Sequence, residues 1–281
     1  MKFLVQQQPA YVATGGTTHT PPRDDFDATL PSVLFIHGAG NDHSVWITLL
    51  RQIAEKAKQT GLNLLAVDLP GHGETFSDAK TTIGAYADWI INLLDNGAIA
   101  SATLIGHSMG GLIALECARR YPGRVAKLGL LGTVLPMPVS EVLRQAARDR
   151  PDDAFEMLTK WSHHMVKNAD GSFPPATGAM KADLATLGRS RPGVLANDLA
   201  ACAAFEPDGA SLVAIQTPTL LIAGAKDKLA PLAGVEALAQ AIASAPTSVR
   251  VLDNTGHAIM QQASDQLSTL ITGWLQNETS Y

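Results

Sequence analysis

Apolar positions in this chain come in short solid runs separated by amphipathic stretches. Ser32-Val33-Leu34-Phe35-Ile36 is one such run, stopping at His37-Gly38. A continuous run of that length predicts a strand buried on both faces of a parallel sheet. Val45, Trp46, Leu49, Leu50, Ile53 and Ala57 then recur at helical spacing, with Gly61 as a stop. The alternation repeats. Leu62–Val67 predicts a strand, Ile83 to Leu94 a helix closed by Asn96-Gly97, and Ala102–Ile105 a strand. Leu112 to Tyr121 predicts a helix ended by Pro122, and Val125–Leu131 a further strand. Met1–Pro9 predicts a first strand, with neither the apolar stretch nor the cleavage site of a signal peptide. Alternating strand and helix predicts an α/β fold: a mainly parallel twisted sheet with helices on both faces.

The pattern changes after about Pro136. From there to Ser211 no strand-like run occurs. Val139–Arg148, Ala154–Lys167, Lys181–Leu187 and Leu195–Phe205 read as helices split by Gly- and Pro-containing turns. Strands resume at Pro218–Ala223 and Val249–Leu252, and a last amphipathic helix runs from about Ile259 to Trp274. The expected organisation is a core of residues 1–135 and 212–281 with a helical cap, 136–211, inserted over the sheet.

Composition removes several function classes. Of 281 residues, 46% are hydrophobic and 17% charged, which excludes general disorder. The net charge of −5 gives no reason to expect nucleic acid or an anionic membrane as partner. Cys117 and Cys202 are the two cysteines, too few for a disulfide framework or a cysteine zinc site, and Cys117 falls in an apolar helical run. No window is apolar enough to predict a transmembrane helix. The default expectation is a cytoplasmic protein acting on a small molecule, with no metal and no cofactor.

The chemistry is concentrated at strand ends. Gly106-His107-Ser108-Met109-Gly110 follows a predicted strand and opens a predicted helix. That context makes the G-x-S-x-G pattern a nucleophile elbow. The turn is so tight that residues two before and two after the serine must be small, which Gly106 and Gly110 satisfy. A serine hydroxyl needs a base, and the base needs an orienting acid. His257, in Gly256-His257-Ala258 after the last strand, is the expected base. Asp227, in the turn after Pro218–Ala223, is the expected acid, because Gly132-Thr133-Val134 after the preceding strand offers no carboxylate.

Two backbone donors should form an oxyanion hole. The amides of Met109 and Ala39 are the expected pair, with Gly40 as the fallback for Ala39. Gly38 and Gly40 let the backbone approach a substrate, and His37 is expected to brace their loop. His107, Met137 and Trp161 are candidate pocket residues, although Met137 and Trp161 suit the core of the cap equally well. His163 and His164 are adjacent on a predicted helix, which disfavours a shared metal. Arg189 and Arg191 are read as a solvated face with a substrate carboxylate as the other option.

Together, His37-Gly38-Ala39-Gly40, Asp68-Leu69-Pro70-Gly71-His72-Gly73, the elbow, the Asp227 turn with Pro231, and Gly256-His257 resemble the α/β-hydrolase fold superfamily, in its capped branch of small esterases and lipases. The resemblance implies a serine carboxylesterase acting through an acyl-enzyme on small or medium acyl chains. Serine at the elbow is unlike the dehalogenases and epoxide hydrolases of the superfamily, which carry aspartate there. Carbon–carbon bond hydrolysis, lactone opening and perhydrolysis use the same triad and stay open as alternatives. A non-catalytic ligand receptor on this fold is the alternative from another class.

Overall fold

Solid burial selects the central strands. The structure, a computed structural model, describes residues 1–15, 26–56, 61–242 and 244–276. Every residue of β3 (Ser32–Ile36), β4 (Asn63–Val67), β5 (Ala102–His107) and β7 (Thr219–Gly224) is buried. With β1 (Lys2–Val5), β2 (Gln8–Thr14), β6 (Val125–Leu131) and β8 (Thr247–Leu252) they form one sheet in the order β1-β2-β4-β3-β5-β6-β7-β8. Strands β3 to β8 are parallel; β1 and β2 are antiparallel to their neighbours.

Helices α1 (Ile47–Lys56), α2 (Ile83–Asn96) and α3 (Met109–Arg120) follow β3, β4 and β5. Five more lie between β6 and β7: α4 (Glu141–Asp149), α5 (Pro151–Ser162), α6 (Gly178–Leu187), α7 (Val194–Ala203) and α8 (Gly209–Val213). Helix α9 (Leu232–Ala241) follows β7, and α10 (Ile259–Gln262) and α11 (Ser264–Leu275) follow β8. Packing of α1 on α11 closes one sheet face, and α2 on α3 closes the other. The insertion has a small apolar cluster of its own, built on Leu143, Phe155, Leu187, Leu195 and Leu199.

The register fixes where the chemistry lies. Ile36 pairs with Val67 and Gly106, His107 with Leu131, Leu131 with Ile222, and Gly224 with Leu252. The carboxyl ends of β3, β5, β6, β7 and β8 therefore open side by side, the edge where open α/β sheets bind ligands.

Three local expectations change. The N-terminal strand is a hairpin of β1 and β2, turned by Gln6 and Gln7 at positive φ. Helix α5 stops at Ser162, not Lys167. The last helix breaks at Ala263 into α10 and α11. Ala57, read as the last apolar position of α1, lies outside the described residues.

Candidate active site

Ser108 is the N-cap of α3, with φ 54° and ψ −116°. A side chain is strained there, and tertiary contacts must hold it. Its amide donates to the Leu131 carbonyl at 2.9 Å, and its carbonyl accepts from the Gly111 amide at 2.9 Å. The glycines around it are obligatory. A Cβ on Gly106 would overlap the Gly110 carbonyl, one on Gly110 the Ile36 carbonyl, and one on Gly111 the Thr133 hydroxyl.

His257 Nδ1 lies 2.7 Å from Asp227 Oδ2. The other oxygen of Asp227 accepts from the Leu229 and Ala230 amides, both at 2.8 Å. Burial alone would raise the Asp227 pKa, but His257 and these amides outweigh it and hold the carboxyl below its ordinary value. The ionised acid keeps the Nδ1 proton on the histidine, which leaves Nε2 as the basic nitrogen. The loop carrying His257 is bolted to the insertion. Ala258 donates to the Ser162 carbonyl at 2.9 Å, and Gln262 Oε1 accepts from the Gly256 and His164 amides.

The His107 ring lies tilted against that of His257 with centroids 4.7 Å apart, and its Nε2 lies 2.9 Å from the His257 carbonyl. Burial, reinforced by the neighbouring His257, pushes the His107 pKa down to about 3, so it is neutral near pH 7. His37 braces its loop as expected from the sequence. Nδ1 lies 2.9 Å from the Gly38 carbonyl, and Nε2 accepts from the Leu69 amide. Burial and the neighbouring His72 lower the His37 pKa to about 4.

Ser108 and His257 line one cavity of about 460 Å³ under the insertion, together with Gly38, Ala39, His107, Met137 and Trp161. Its walls are mostly apolar, with Val139, Leu143, Leu158 and Met260 among them. Gly40 and Met109 are not among the lining residues. The Met109 side chain is buried in the core, and its amide stands in the first turn of α3, where helix donors lack intrahelical partners. The Gly40 amide is occupied: it donates to Asp198 Oδ2 at 2.9 Å, which removes Gly40 as the fallback donor.

Arg189 and Arg191 do not line the cavity either. Arg189 pairs with Asp42 at 3.0 Å, and Arg191 donates to the Gly73 and Thr75 carbonyls. His163 is buried and paired with Asp183 at 2.6 Å. No cluster of three metal-ligating side chains occurs among the described residues. Cys117 and Cys202 are buried free thiols, raised in pKa by burial.

Two residues of the site escape the sequence reading. Gly132, at φ 52°, follows β6; a Cβ there would stand 3.1 Å from His257 Nδ1 and 3.4 Å from Asp227 Oδ2. The missing side chain makes room for the His257–Asp227 pair. Asp198, on α7, is fully buried and accepts from core groups. A lone carboxylate in the apolar run Leu195–Ala203 was the available signal.

Comparison with known proteins addresses the family and the fold. The model of the alpha/beta hydrolase family matches residues 33–270. Pimeloyl-[acyl-carrier protein] methyl ester esterase of Aromatoleum aromaticum is 30% identical, over 86% of this chain and 96% of its own. A 2-hydroxy-6-oxononadienedioate/2-hydroxy-6-oxononatrienedioate hydrolase of Paraburkholderia phymatum is also 30% identical, over 79% of each chain. Among solved structures, the enol-lactonase of Burkholderia xenovorans superposes with a TM-score of 0.80 at 21% identity, covering 99% of this chain and all of that one. A thermophilic esterase of Thermogutta terrifontis gives 0.76 at 21% identity, over 98% and 97%. At that identity the structural likeness speaks for the fold alone. The family match spans most of the chain and includes every strand end that converges on Ser108, so the protein belongs to the alpha/beta hydrolase family.

Proposed function

We propose that the protein is a serine carboxylic-ester hydrolase with Ser108 as nucleophile, His257 as base and Asp227 as orienting acid. The observation that carries the reading is the His257–Asp227 hydrogen bond of 2.7 Å beside a serine on a strained elbow, with Ser108 and His257 lining one apolar cavity. Ser108 Oγ attacks the ester carbonyl while His257 Nε2 takes its proton. The Ala39 and Met109 amides receive the oxyanion, and the dipole of α3 adds partial positive charge. His257 returns the proton to the departing alcohol. Water, deprotonated by His257, then cleaves the acyl-enzyme and releases the acid. Asp227 stabilises the imidazolium formed in each half-reaction.

Residues 136–211 act as the cap in this reading. Met137 and Trp161 contribute to an acyl pocket, and the cavity suits an uncharged small or medium acyl chain. Carbon–carbon bond hydrolysis is the second reading, favoured by the Paraburkholderia relative. Apart from histidines, the charged lining residues are Asp183 and Lys228, a poor match for a dicarboxylate. Hydrolysis of p-nitrophenyl esters from two to sixteen carbons, beside a lactone and a dienedioate, separates these readings. Turnover of the dienedioate with inert esters would overturn the proposal.

A further inference from the structure

Asp198 is a carboxylate in a place where carboxylates are costly. It is fully buried on α7, within the insertion, and its hydrogen-bond donors come mainly from outside it, from the loops after β3 and β4 and from α2. Oδ2 accepts from the Gly40 amide at 2.9 Å and lies 2.8 Å from His72 Nε2. Oδ1 accepts from the Tyr86 hydroxyl at 3.0 Å. His72 Nδ1 faces the Pro70 carbonyl at 2.9 Å. Both ring nitrogens of His72 thus face acceptors, which only the doubly protonated ring satisfies. Burial opposes that charge, but Asp198 outweighs it and leaves the His72 pKa raised. The pair balances its own charge, as a buried carboxylate requires.

The position of Gly40 gives this network a consequence. Gly40 directly follows Ala39 and turns the loop at φ 67°. The space beside its Cα is filled by Leu195 and Leu187, both from the insertion, so the insertion grips this loop by packing as well as by the Asp198 bond. An anchor for the insertion alone would not need a backbone amide of that loop.

We propose that Asp198 is a positioning residue: from the insertion, it holds the 38–40 loop so that the Ala39 amide points at the developing oxyanion. This rests on the reading of Ser108 and Ala39 given above. The insertion then does more than shape the pocket. Its seating completes the oxyanion hole, and an unseated insertion leaves a nucleophile without its full electrostatic partner.

The test compares Asp198→Ala and Asp198→Asn with the wild type on a p-nitrophenyl ester, with rates divided by the sites that a fluorophosphonate titrates. Wild-type labelling at Ser108 is read first. If it is absent, the reading of the site fails, and this proposal with it; if present, only the role of Asp198 is at stake. Asp198→Ala should lower kcat per titrated site roughly 10- to 100-fold and leave KM within about threefold, since an oxyanion donor acts on the transition state. Asparagine keeps an oxygen for the Gly40 amide but loses the charge that balances His72, so kcat of Asp198→Asn should fall between those of alanine and the wild type. Unchanged kcat in Asp198→Ala, a change confined to KM, or an asparagine variant no better than alanine would overturn the proposal. Should the alanine variant not fold, hydrogen exchange of the wild type decides. The Gly40 amide should be protected like the amides of α7, because releasing it requires unseating the insertion. Exchange at the rate of an open loop would overturn the proposal.

Discussion

The backbone of Ser108 offers a test that needs no substrate. At φ 54° and ψ −116° it occupies a region that side chains rarely adopt. Strain of this kind costs about 1–3 kcal/mol when a side chain is present. Glycine removes that cost but gives the unfolded chain more freedom, worth about 0.4–1 kcal/mol against alanine. Ser108→Ala and Ser108→Gly both delete the hydroxyl, so their difference isolates the strain. Glycine should be the more stable of the two by about 1 kcal/mol, or about 2 °C in Tm for a chain of this size. Ala237 on the exposed face of α9 is the control. There Ala237→Gly should cost about 1 kcal/mol, as in any helix interior. Differential scanning calorimetry of the three variants reads these shifts. If Ser108→Gly melts at or below Ser108→Ala, the elbow stores no strain and the reasoning from its backbone fails.

Three further outcomes are expected. Gly132→Ala presses a methyl toward His257 Nδ1, so kcat should fall roughly tenfold or more with little change in KM, because small displacements of a base are costly; activity within twofold of wild type would show that the pair tolerates displacement. Trp161→Ala enlarges the cavity, so the optimum of kcat/KM should move to longer acyl chains, each buried methylene being worth about 0.8 kcal/mol; an unshifted profile across several insertion variants would make the insertion a passive cover. Acid should destabilise the fold below pH 6.5. His37 and His107, held at about 4 and about 3, stay neutral in the fold while the unfolded chain takes up protons. Between pH 6.5 and 5 the loss should be on the order of 3 kcal/mol for the two. His43 and His72 are raised, so their contributions are complete below 6.5 and fade only as pH rises through their folded values. A urea midpoint that is flat over this range would contradict the assignment.

The strands were legible because burial on both faces leaves no polar alternation to confuse the reading. Ser32–Ile36 and Val125–Leu131 are observed with the bounds that their apolar runs predict. The elbow was legible because its geometry forbids side chains at Gly106 and Gly110, a demand that local sequence records. The N-terminal hairpin was not, because Gln6 and Gln7 take positive φ without the asparagine or glycine that usually marks such a turn. Helix α5 ends early for a tertiary reason: the Ser162 carbonyl is taken by the Ala258 amide, and Gln262 holds the His164 backbone. Gly132 and Asp198 were hidden for the same kind of reason. Each is defined by a partner more than 90 residues away in the chain, His257 for one and Gly40 for the other.

The central claim is that Ser108 forms the covalent intermediate. Intact-mass and peptide mapping after treatment with a fluorophosphonate test it most directly. The account predicts one phosphonyl group per chain, on the peptide that contains Ser108, complete loss of labelling in Ser108→Ala, and loss of esterase activity in step with labelling. Stoichiometric label on another residue, or an unlabelled wild type that still hydrolyses esters, would contradict it.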